Sequence, residues 1–148
     1  MTQLIFVALL LGTLLYAAFR GGAPERVGAS IIIAATTATI LVPKVGKVTF
    51  ASLEPGVFAV DTLTAFAFIL LALRANRYWP IWIAALQIDT VLTHVAMLTA
   101  PRVMPWAYAV MEIAWSYPIV MLVAVGTARH QQRLHRYGND PSWSALNG

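Results

Sequence analysis

The stretch that decides the reading is Tyr78–Ala100, YWPIWIAALQIDTVLTHVAMLTA. A helix needs about 20 mainly apolar residues to cross a bilayer, and this segment has the length. Yet Gln87, Asp89, Thr90, Thr93 and His94 lie inside it. A charged side chain at the bilayer centre costs at least about 2.5–3.5 kcal/mol on insertion scales, so such residues face protein or a water-filled cavity rather than lipid. The segment is therefore expected to turn its polar groups toward other helices.

Composition places the rest of the chain in the same class. Of its 148 residues 59% are apolar and 11% charged, against roughly 45–50% and about 25% in a soluble domain. The formal charge of +4 comes from ten Lys or Arg against six acids. These basic residues are dispersed between apolar runs and form no single stripe, which argues against a nucleic-acid partner. With no cysteine in the chain, disulfides, thiolate catalysis and Cys-ligated metals are excluded. No lysine lies inside a span, which removes the attachment point that a retinal Schiff base would need.

Working outward, the runs predict five transmembrane helices near residues 2–19, 27–42, 57–73, 79–99 and 106–127. The first has no basic leader before it and reads as a retained helix, not a cleaved signal. RGGAPER, from Arg20 to Arg26, is expected to break the chain into a basic turn. The second run is rich in small residues, and Ser30, Ala34 and Ala38 recur every four positions. That spacing predicts a close helix–helix seam. Pro118, inside the fifth run, predicts a kink. The expected organisation is a transmembrane domain over 1–137 and a flexible tail over 138–148, with His130 and His135 in a solvated basic stretch.

Five spans put the termini on opposite sides. Arg20, Arg26, Arg74, Arg77, Arg129, Arg133 and Arg136 fall on one side and Lys44, Lys47 and Arg102 on the other. The positive-inside rule then places the amino terminus outside and the carboxyl terminus in the cytoplasm. The fold class expected is an all-α polytopic bundle in the cell membrane, the inner membrane if the source is bacterial. Its partners are the lipid bilayer and either further copies of the chain or a larger membrane complex. Trp79, Trp82, Trp106 and Tyr108 suit the headgroup level.

Counting along the helices gathers the ionisable groups. Asp61 lies five residues in from Gly56, His94 six from Ala100 and Glu112 seven from Pro105. At a helical rise of about 1.5 Å per residue these are similar depths, roughly 7–11 Å from the outer face. Asp89 lies deeper. Gln87, Thr90 and His94 share one stripe of the fourth helix, and Tyr108, Glu112 and Ser116 one stripe of the fifth.

The site expected is thus Asp61, Asp89, His94 and Glu112, supported by Gln87, Thr90, Tyr108 and Ser116, in a pocket of helices three to five. Such a set can relay protons or bind a cation or small polar ligand. No HxxxH or HExxH pair is present to mark a metal centre, and no cofactor is implied. Three alternatives stand beside this reading: a non-catalytic subunit of a larger membrane complex, a membrane enzyme using the Asp/His/Glu groups as acid and base, and a hydrogen-bonded network that only fixes helix register.

Overall fold

The computed structural model describes residues 2–42, 55–99 and 114–144, with the side chains of 2, 3 and 97–99 aside. The described residues form five helices: α1 (Thr2–Arg20), α2 (Ala23–Leu41), α3 (Pro55–Arg74), α4 (Trp79–Thr99) and α5 (Ser116–Tyr137). One isolated β-bridge, Ala75 with Trp143, is the sole extended pairing among them. Each helix packs on the next around a ring, α5 closes against both α4 and α1, and α2 reaches across to α5. Successive helices run in opposite directions. Asp61 near the start of α3 meets His94 late in α4, while Phe6 near the start of α1 meets Tyr117 at the start of α5.

Local chemistry sets the helix ends. The turn expected over Arg20–Arg26 shrinks to Gly21–Gly22, because Pro24 sits in the first turn of α2 and opens that helix instead of breaking it. Its missing N–H would have had no helical partner there. Pro118 likewise falls in the first turn of α5, where Ile119 N donates to Trp115 O at 3.2 Å, with Ala114 helical and Trp115 in a turn just ahead of it. α5 then continues to Tyr137, where Gly138, at φ 71°, closes it with an N–H donated to Leu134 O.

The seam of small residues lies on a different face of α2 from the one expected. Ser30 and Ala34 are exposed and Ala38 is half-buried, and the Ser30 hydroxyl bonds back to Arg26 O of its own helix. The buried side of α2 is Pro24, Glu25, Gly28, Ala29 and Ile32. Trp79, 7% exposed, is the reason. A Cβ on Gly28 or on Gly126 of α5 would stand 2.6 Å from the Trp79 indole, so both glycines let a neighbouring helix close onto that ring. Ala29, Ile32, Phe68, Leu71, Ile83 and Val123 complete the core around it.

Large apolar side chains stand on the surface while several polar ones are buried beside the apolar core. Phe19, Leu4, Ile40 and Leu63 are 77, 75, 75 and 68% exposed, whereas Glu25 and Thr127 are 0% and His94 1% exposed. Among the described residues α3 is the one helix long and apolar enough to cross a membrane, and Leu4–Arg20 is apolar but shorter. The helix number matches the expectation from sequence, while the criterion for a span is met by one of the five. The others fall short for identifiable reasons. α2 opens with Pro24, Glu25 and Arg26, α4 carries Gln87, Asp89 and His94, and α5 runs on into Arg129–Arg136.

Candidate functional site

Buried polar groups collect at the two ends of the bundle. At one end the His94 Nε2 and Asp61 Oδ2 lie 2.8 Å apart, the imidazole N–H donating to the carboxylate. α3 delivers Asp61 in its second turn, and the antiparallel α4 brings His94 to the same level. The edge of the Phe58 ring covers the imidazole at a centroid distance of 5.7 Å. The His94 side chain is 2% exposed and that of Asp61 19%.

Asp61 lines a cavity of about 290 Å³ to which all five helices contribute. Thr36 and Thr39 of α2, Thr64 of α3, Gln87 and Thr90 of α4, and Trp115 and Ser116 ahead of and within α5 supply its polar wall. The Thr64 and Thr90 hydroxyls donate to Val60 O and Leu86 O, one turn back on their own helices. Two groups are left to seek partners. The Trp115 indole N–H is buried and has no hydrogen-bond partner among the described residues. Gln87, 7% exposed, makes no hydrogen bond to another described residue.

Of the residues expected here from sequence, Asp61, Gln87, Thr90 and Ser116 therefore share one cavity wall, and His94 stands behind Asp61. Asp89 is half-buried, is not part of the wall, and leaves Oδ2 unpartnered. Glu112 and Tyr108 lie outside the described residues. Among the described residues no group of three or more His, Asp or Glu side chains gathers as a metal site. Sequence reasoning missed α1, α2 and Trp115 as parts of the wall. Thr36 and Thr39, three residues apart and with Thr37 the only polar residues of the stretch 31–41, were the available signal.

The other end holds a buried ion network that sequence reasoning did not assemble. Glu25 Oε1 accepts from Trp79 Nε1 at 3.1 Å and from Arg77 Nε at 3.4 Å. Arg77 also donates from Nη2 to Asp140 Oδ2 at 2.6 Å and from Nη1 to Asn76 O and Pro141 O at 2.8 Å. Asp140 further accepts from His130 Nδ1 at 2.6 Å and Arg133 Nε at 2.8 Å. Burial pushes the Asp140 carboxyl up, but hydrogen bonds from Arg133 and His130 and the charges of Arg77 and Arg133 outweigh it, holding it below the usual carboxylate range.

This network corrects the placement of His130 in solvent, since it is 7% exposed and bound to Asp140. Residues after α5 return to the α3–α4 corner, with Asn76 N donating to Ser142 O at 3.2 Å and Ser144 N to Arg74 O at 3.0 Å. The signal in the sequence was two acids, Glu25 and Asp140, isolated among arginines on a side expected to be basic. Gln131 donates to Arg20 O and ties α5 to the end of α1.

Comparison of the chain with family models, with curated proteins and with solved structures gave no match.

Proposed function

We propose that this chain is a small integral membrane protein of five spans, amino terminus outside and carboxyl terminus cytoplasmic, whose outer cavity binds a small polar ligand. The membrane reading is supported by the apolar exterior and by Arg20, Arg26, Arg74, Arg77, Arg129, Arg133 and Arg136 falling at one end of the bundle. A surface of exposed Leu, Ile and Phe this extensive has lipid as its natural solvent. Glu25 of α2 and Gln87 and His94 of α4 turn inward, which is how a span tolerates such groups.

The observation that carries the ligand reading is the Asp61–His94 pair on a cavity wall beside two unsatisfied groups. The buried Trp115 N–H costs about 1–3 kcal/mol when left unpaired away from water, and the Gln87 amide opens onto the cavity without a protein partner among the described residues. At about 290 Å³ the cavity sits at the lower limit of small-molecule pockets. The ligand that fits these groups accepts a hydrogen bond from Trp115 and Gln87 and donates one, or a positive charge, to Asp61. His94 holds the Asp61 carboxylate in place by its hydrogen bond and offers a proton route to it.

Gln87→Leu tests this. It replaces an unpaired amide by an apolar group of similar size, so thermal stability of the ligand-free protein in detergent is expected to rise or hold. Native mass spectrometry is expected to find a small polar molecule on the wild-type protein and none on Gln87→Leu or Asp61→Asn. Identical masses for all three, with Gln87→Leu destabilised, would remove the ligand reading and leave Gln87 as a structural residue. One observation favours the accessory-subunit alternative: Ser30 and Ala34 expose a small-residue face of α2 on which a partner helix could lie.

A further inference from the structure

At the arginine-rich end a second cavity, of about 410 Å³, opens between the start of α4 and the far half of α5. Its wall includes Arg77, Trp79, Trp82, Arg129, Arg133 and Asp140. The charges in and behind this wall do not balance. Three guanidinium groups, Arg77, Arg129 and Arg133, stand against two carboxylates, Glu25 and Asp140.

The bonding leaves unpartnered groups of both signs, the buried Glu25 Oε2 on the acid side and two guanidinium groups on the basic side. Both Asp140 oxygens are occupied, Oδ1 by Arg133 and Oδ2 by Arg77 and His130. Arg77 has Nε, Nη1 and Nη2 all engaged. Arg133 gives Nε to Asp140, but its Nη2 is buried and has no partner. Arg129 is exposed and pairs with no described residue. Arg129 and Arg133 share one cavity wall with Asp140, whose oxygens are already taken, and two guanidinium groups so placed favour an added anion. Beside them Trp82 and Tyr78 are 65 and 81% exposed, as suits rings at a headgroup boundary.

We propose that this cavity binds a phosphate-type oxyanion, held by Arg129 with the partly exposed Arg133 guanidinium beside it, with Trp79 and Trp82 bounding the group that carries it. Guanidinium forks match phosphate oxygens in geometry as well as charge. Basic pockets between helices on the cytoplasmic side are suited to anionic headgroups. The same chemistry would accept a free phosphate, so the oxyanion is the shared element. The headgroup source rests on the membrane reading and the oxyanion does not. Neither depends on a ligand in the outer cavity.

The test is thermal unfolding of the full chain in dodecyl maltoside, titrated with short-chain phosphatidylglycerol, short-chain phosphatidylcholine or inorganic phosphate. Wild-type protein is expected to be protected by phosphatidylglycerol at a concentration about fivefold lower than by phosphatidylcholine, and Arg129→Gln is expected to erase that preference. Arg129 takes no part in the ion network, so this variant should fold. Protection by phosphatidylglycerol without protection by phosphate assigns a lipid headgroup, and protection by phosphate alone assigns a free oxyanion. Protection by both supports the shared chemistry. No protection by either, equal protection by the two lipids without an effect of phosphate, or an unchanged preference in Arg129→Gln would overturn the proposal.

Discussion

Asp140→Asn should be among the most damaging single-atom changes in the chain. The carboxylate receives Arg77 Nη2 and His130 Nδ1 at 2.6 Å and Arg133 Nε at 2.8 Å while 8% exposed. Asparagine keeps the shape but offers one acceptor oxygen to three donors, and turns its own N–H₂ toward one of them. Removing one partner of a buried ion network costs about 3–5 kcal/mol, which for a chain of this length lowers the melting temperature by on the order of 10 °C. Tryptophan fluorescence during heating in detergent reads this well, because Trp79 bonds to Glu25 within the network and Trp143 bridges to Ala75 beside it. The difference from wild type should also depend on pH. Since the folded Asp140 carboxyl is held below its ordinary value of 3.8, its stabilisation is complete above that value and is lost as pH falls through the folded value. The wild type should therefore keep its full advantage at neutral pH and lose it in strong acid. A drop below about 2 °C at neutral pH, or an advantage that grew on acidification, would refute the reasoning.

Gly126→Ala puts a methyl 2.6 Å from the Trp79 indole, and overpacking against a rigid buried ring should cost about 1–3 kcal/mol; an unchanged unfolding curve would show that α4 and α5 can part without loss. Ala34→Leu should stay within about 0.5 kcal/mol of wild type because Ala34 is exposed; a large loss would instead indicate that Ala34 packs against another helix.

How much was legible beforehand differs between the two ends. Asp61 and His94 could be matched by counting inward from the loops, because helical rise converts sequence position into depth and consecutive antiparallel spans meet at equal depth. The stripe of Gln87, Thr90 and His94 followed from spacing alone. That α1, α2 and Trp115 close the same cavity was not legible, since nothing in an apolar run states which of its faces turns inward. The opposite network draws on four separated segments: the start of α2, the α3–α4 corner, α5 and the chain after it. Each charged member looked like an ordinary flanking residue of its own segment. The face of α2 was misread for a related reason. Small-residue spacing identifies helices that can pack closely, but the position of Trp79 decides that Gly28, not Ala34, meets the neighbour.

A membrane-embedded bundle whose two polar ends face opposite compartments makes one directly measurable prediction. Because the chain contains no cysteine, single substitutions Ser116→Cys, on the outer cavity wall, and Ser142→Cys, beside the ion network, can be labelled on intact cells with a membrane-impermeant thiol reagent. Labelling of Ser116→Cys on intact cells, and of Ser142→Cys only after permeabilisation, is the predicted result. Labelling of both from outside, or of neither until lysis with the protein recovered in the soluble fraction, would contradict it.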